Sequence, residues 1–188
     1  MNLPNKLTVA RIVLAPLFLL LFMMDFPCHY LIAGLVFGAA ALTDMFDGRI
    51  ARQRGLVTNF GKFLDPLADK MLTTAAFLGF LAIGVTDVWA VMLILTREFM
   101  VTSVRLLAAK GGTVVAASMA GKLKTVMQFV AIIYMLAALQ VMAWFPLPIL
   151  GTVLPIIGNI LIWISVILTM ISGFQYVWNC RQFILDEK

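Results

Sequence analysis

The sequence predicts an all-α, polytopic membrane protein with six transmembrane helices, and three observations predict it. The first is composition: of 188 residues, 63% are hydrophobic and only 12% charged, with a mean hydropathy of +1.03. Soluble domains average roughly 45–50% apolar and about 25% charged, and a core this short cannot hide so much apolar surface. The second is the spacing of long apolar runs, each near the roughly 20 residues that a membrane helix requires. The third is the distribution of Lys and Arg, which marks one side of the bilayer.

The spans follow in order. Residues 12–24 carry no charge and, with 7–11, form the first; no small-residue cleavage site follows, so it is not a signal peptide. Asp25 through Tyr30 ends it. A second span starts near Tyr30 and passes Leu42 into a charged end; residues 71–86 form a third and 88–109 a fourth. Between Lys124 and Arg181 lie 56 residues without an acid or a base, enough for two crossings. Pro146, Pro148, Gly151, Pro155 and Gly158 are expected to mark the turn between them.

The charges agree with this count. All 14 basic residues fall in or beside the segments before span 1, between spans 2 and 3, between spans 4 and 5, and after span 6. Six crossings with both termini in the cytoplasm satisfy that pattern. Residues 1–188 read as a single integral-membrane domain without repeat or linker. Two cysteines, Cys28 and Cys180, are too few for a disulfide framework. The net charge of +5 does not make a nucleic-acid-binding domain of so apolar a chain.

The acidic residues are not scattered. Asp44, Asp47, Asp65 and Asp69 crowd into 26 residues at the inner ends of spans 2 and 3. Positions i,i+3 and i,i+4 share a helix face, so each pair points one way and two neighbouring helices can unite all four. Four such carboxylates must share protons or hold a cation, and all-oxygen donors suit Mg²⁺, Mn²⁺ or Ca²⁺. Two divalent ions would balance four acids, the usual clamp for phosphoryl displacement. A solvated loop balancing Arg49, Arg52 and Arg54 is the alternative. Gly48 and Gly61, which permit close approach, and Arg52, a fork donor beside the small Ala51, favour a diphosphate held on metal.

The order of these residues resembles a known signature. Asp44, Asp47, Gly48, Ala51 and Arg52 are followed after eight residues by Gly61, after three by Asp65, and after three more by Asp69. This is similar to the motif of the CDP-alcohol phosphatidyltransferases, with all eight specified residues at the family's offsets. The resemblance implies the six-helix CDP-alcohol phosphotransferase fold. It also implies that Asp44, Asp47, Asp65 and Asp69 hold two divalent ions, Mg²⁺ or Mn²⁺, on a CDP-lipid diphosphate, and that Asp69 takes the proton of the acceptor hydroxyl. Gly48, Arg52 and Thr58 would bind the CDP moiety of CDP-diacylglycerol.

Other polar islands are open to two readings. Asn5 and Thr8 lie at the entry to span 1; as residue types they are a helix entry with anchors, whereas the resemblance makes them nucleotide contacts. Gly121 and Lys122 lack the remainder of a P-loop. Arg97 and Glu98 are adjacent opposite charges that can simply pair, while Arg105 and Lys122 have no acid near them in sequence and suit an anionic ligand. Arg97, Arg105, Lys122 and Lys124 resemble the set that receives glycerol 3-phosphate in the family branch making phosphatidylglycerophosphate. The implied activity transfers a phosphatidyl group to glycerol 3-phosphate at the inner membrane of a bacterium. A cardiolipin, phosphatidylserine or phosphatidylinositol-phosphate synthase is the alternative within the family, and an ion-coupled transporter the alternative outside it. The lipid bilayer is the expected surrounding, and a homodimer is compatible with the sequence.

Overall fold

The computed structural model describes residues 3–54, 59–110 and 119–185, with side chains described for 7–43, 64, 67, 68, 70–105, 119–179 and 181. The described residues form six α-helices and no strand: α1 (Leu3–Met23), α2 (His29–Arg54), α3 (Asn59–Ala82), α4 (Val88–Lys110), α5 (Met119–Trp144) and α6 (Pro148–Leu185). Helix α1 packs on α2 and α3, α5 lies along α6, α4 joins α6, and α2 bridges to α5. Among the described residues a large apolar core runs through the bundle, and a small second cluster joins Val101 to Tyr176.

That core mixes small and aromatic residues. Ala15, Ala33, Ala40, Ala76, Ala90 and Ala131 are buried and let helices approach closely, as small residues do in membrane bundles. Phe18, Phe22, Phe37 and Phe80 fill the space left, with ring centroids 5.9 Å apart for Phe18–Phe22, 5.8 Å for Phe18–Phe37 and 5.7 Å for Phe22–Phe80. The outer surface is inverted relative to a soluble protein. Trp89, Ile149, Leu35 and Phe174 are each at least 65% exposed, amid many other exposed apolar side chains. Such continuous apolar surface marks contact with another apolar phase.

Helices α5 and α6 are each long and apolar enough to cross a membrane, over Met119–Trp144 and Pro148–Asn179. Over the residues whose side chains are described, α1, α2 and α3 contribute the apolar stretches Leu7–Met23, His29–Thr43 and Lys70–Ala82.

Local chemistry sets the helix ends. The third helix stops at Ala82, before the expected end of span 3 at residue 86. Gly84 adopts φ +75°, while the Val85 N–H donates to Phe80 O (3.1 Å) and the Gly84 N–H to Leu81 O (3.0 Å). This is a Schellman cap, in which glycine tolerates the left-handed residue. Asp87 then caps α4: its Oδ1 accepts the Ala90 N–H at 3.0 Å, and its Oδ2 accepts the Trp163 indole N–H at 3.0 Å. The late part of α5 is tied to the start of α2 through Gln140 Oε1, which accepts the Leu31 N–H at 2.8 Å.

One expectation is corrected. The turn between α5 and α6 does not extend over residues 146–158, because α6 begins at Pro148 and contains Gly151, Pro155 and Gly158. Pro148 stands at the first helical position, where no intrahelical N–H is needed. Pro155 costs one helical hydrogen bond, and the helix continues through it. Glycine and proline spacing overstated the break because these residues do not stop a helix supported by long packing against α5.

Candidate active site

At one end of the bundle, late α4, early α5, the middle of α3 and late α6 bring several charged and polar side chains together. Glu98 on α4 is the hub. Its Oε2 takes the Lys70 ammonium of α3 at 2.8 Å. Its Oε1 accepts from the Lys124 ammonium of α5 and from Arg97 Nη1 at 3.1 Å. Arg97 Nη2 donates to Ser172 Oγ of α6 at 2.6 Å, and Ser172 Oγ donates to Thr169 O at 3.3 Å. Arg97, Glu98 and Lys124 are buried.

Beside this cluster lies a cavity of about 400 Å³, within the usual range for small-molecule sites. Its walls carry Lys70, Arg97, Arg105, Lys122 and Lys124 against one described acid, Glu98. Arg105 and Lys122 are exposed, and the Arg105 guanidinium sits 5.8 Å from the centroid of the Tyr176 ring. Tyr176 is buried, with its hydroxyl lacking a hydrogen-bond partner among the described residues. Among the described residues, five cations around one carboxylate make a site for an anion, and guanidinium with ammonium donors suits phosphate.

Sequence reasoning named Arg97, Arg105, Lys122 and Lys124, and the fold brings all four to this cavity. It also raised the pairing of Arg97 with Glu98, which the structure contains. It missed Lys70, Ser172 and Tyr176, and the reach of Glu98 to three cations. The available signal was Glu98 itself, a lone acid inside an apolar span.

Asp44, Asp47, Gly48 and Arg52 lie in the second half of α2, and Asp65 and Asp69 in the first half of α3. Their side chains, and that of Asn5 on α1, lie outside the described residues, as does Thr58 altogether. Thr8 is buried on α1. Helices α2 and α3 touch each other and both pack on α1. As a donor set, four carboxylates fit a hard divalent cation.

The model of the CDP-alcohol phosphatidyltransferases matches residues 1–171 of this chain. The chain belongs to that family. Among bacterial relatives, it is 40% identical over 187 residues to the CDP-diacylglycerol–glycerol-3-phosphate 3-phosphatidyltransferase of Bacillus subtilis (strain 168), covering 93% of each chain. It is 37% identical to the protein of the same name from Rickettsia bellii (strain RML369-C), covering 97% of each. A third of that name, from Salmonella paratyphi A (strain ATCC 9150 / SARB42), is 34% identical over 99% of this chain and 98% of its own. The CDP-alcohol phosphatidyltransferase match ends at residue 171, so Ser172 and Tyr176, which meet Arg97 and Arg105, lie just beyond it.

Proposed function

We propose that this chain transfers the phosphatidyl group of CDP-diacylglycerol to sn-glycerol 3-phosphate, yielding phosphatidylglycerophosphate and CMP. The observation that carries the acceptor is the cationic cavity, where Arg105 and Lys122 remain exposed beside the Glu98 cluster. The names of the family relatives support the same reaction.

The reaction asks for positioning and charge stabilisation more than covalent help. The acceptor's phosphate docks on Arg105 and Lys122, with Arg97 and Lys124 reinforcing the wall. Its hydroxyl at the end opposite the phosphate gives a proton to Asp69 while that oxygen bonds to the phosphorus that carries diacylglycerol. The bond from that phosphorus to the CMP oxygen breaks, and CMP leaves. Asn5, Thr8, Gly48, Arg52 and Thr58 hold the CDP moiety. Asp44, Asp47, Asp65 and Asp69 would hold two divalent ions, Mg²⁺ or Mn²⁺, whose chemistry when bound is neutralisation of the diphosphate.

All six helices cross the inner membrane, with both termini and the site at the cytoplasmic face. That placement lets a soluble dianion meet a donor whose acyl chains stay in lipid. It agrees with basic residues at one end and exposed apolar side chains along the bundle.

The deciding experiment offers purified protein labelled CDP-diacylglycerol with a panel of acceptors: glycerol 3-phosphate, serine, phosphatidylglycerol and inositol phosphate. Glycerol 3-phosphate should give the dominant labelled product with stoichiometric CMP. Preference for serine, which brings no phosphate to the cationic wall, would overturn the proposal.

A further inference from the structure

Glu98 is the one acid among the described residues that line the cavity. It spends both carboxylate oxygens on cations from three helices: Lys70 of α3 at 2.8 Å, Lys124 of α5, and Arg97 of its own helix at 3.1 Å. We infer that Glu98 is a positioning residue, whose carboxylate gathers Lys70, Arg97 and Lys124 into a fixed cationic wall for the acceptor's phosphate. The inference rests on the glycerol 3-phosphate reading above.

The geometry requires a carboxylate. Three cations drawn to one point repel unless a negative charge lies between them, and here Arg97, Glu98 and Lys124 are 6%, 5% and 3% exposed. Removing one partner of a buried ion pair leaves an uncompensated charge, far more costly than at a surface. An amide at this position would offer one oxygen and turn N–H donors toward cations. The Glu98→Gln substitution would therefore release the wall instead of holding it. Arg97 has a second anchor in Ser172, so Lys124, buried against Glu98, should shift most. The acceptor would then meet Arg105 and Lys122 without an ordered wall behind them.

A purely structural ion pair makes a different prediction. Its loss would lower the folded, active fraction and hence apparent kcat, with both KM values unchanged. The test uses the full chain in detergent or vesicles and compares wild type with Glu98→Gln and Glu98→Asp. KM for glycerol 3-phosphate, KM for CDP-diacylglycerol and kcat are measured separately.

Glu98→Gln should raise KM for glycerol 3-phosphate by about 10- to 100-fold, the range for a lost charge-assisted contact. KM for CDP-diacylglycerol should stay within about twofold, the sign of a lost acceptor interaction. Glu98→Asp keeps the charge on a shorter arm and should restore part of the affinity; it decides the matter if the glutamine variant does not fold. An unchanged acceptor KM in a folded variant, or a fall in kcat alone, would overturn the role of Glu98. Absence of wild-type turnover with glycerol 3-phosphate would instead overturn the acceptor reading, and the inference with it.

Discussion

Gly173 offers a sharp test of the acceptor wall because a single methyl group there acts on Arg97. A Cβ built on Gly173 would lie 2.8 Å from Arg97 Cγ, 3.4 Å from Nε and 3.7 Å from Cδ. The closest approach is 0.6 Å inside the 3.4 Å edge of ordinary contact, so the arginine shaft must move. It has little freedom, since Arg97 is 6% exposed and its tip is held by Ser172 at 2.6 Å and Glu98 at 3.1 Å. Overpacking of this kind costs about 1–3 kcal/mol, while replacing a helical glycine by alanine returns about 0.5–1 kcal/mol. Stability is therefore a blunt readout, with a fall of roughly 2–4 °C in Tm per net kcal/mol. Acceptor affinity is the sharp one. A charge-assisted hydrogen bond is worth about 1.5–3 kcal/mol, and about 1.4 kcal/mol is tenfold. Loss of the Ser172 bond with partial retention of Glu98 should raise KM for glycerol 3-phosphate about tenfold. CDP-diacylglycerol should bind as before. Gly151→Ala, where a Cβ meets nothing within 4 Å, is the control and should match wild type. Initial rates of CMP release over a matrix of both substrates measure all of this. An unchanged acceptor KM in folded Gly173→Ala would refute the placement of Arg97 on the acceptor wall.

Chelation by EDTA should abolish CMP release and Mg²⁺ or Mn²⁺ should restore it; full turnover in metal-free buffer would sink the metal assignment to the four aspartates. Asp69→Asn should cut turnover by about 10²–10⁴-fold, the usual contribution of a general base, while CDP-lipid binding by equilibrium dialysis persists. Arg105→Ala and Lys122→Ala should each raise KM for glycerol 3-phosphate by about 10- to 100-fold, and a loss confined to CDP-diacylglycerol affinity would reassign the cavity. Asp87→Ala removes both the cap on Ala90 and the acceptor for Trp163; it should lower stability by about 1–2 kcal/mol, with kcat unchanged, in thermal unfolding followed in detergent.

The helices were legible because each apolar run must satisfy its own backbone within lipid, which leaves composition little freedom. Residues 30–42 and 88–109 sit inside α2 and α4 as expected. The errors fall at ends decided by single residues: Gly84 stops α3 through its φ of +75°, and Pro155 does not stop α6. The cationic site was legible at Arg105 and Lys122 because neither has an acid nearby in sequence. What sequence order conceals is which charges meet across helices. Lys124 reaches Glu98 over 26 positions and Arg97 reaches Ser172 over 75. Those contacts depend on how α4, α5 and α6 rotate against one another, which hydrophobic pattern alone does not fix.

Helix α3 ties the two halves of the proposed site together. It carries Asp65 and Asp69 in its first half, and Lys70, which Glu98 holds at 2.8 Å, follows Asp69 directly. Successive helical positions lie about 100° apart around the axis, at roughly 3.6 residues per turn. Asp69 and Lys70 therefore belong to different faces at nearly the same height. On the proposed reading, one face of α3 serves the donor diphosphate and the next serves the acceptor's phosphate. On that reading the base at residue 69 directly precedes, in sequence, a residue of the acceptor wall. The Glu98 contacts tie α3 to α4 and α5, so on that reading ion pairs between helices, rather than a loop, couple the two half-sites.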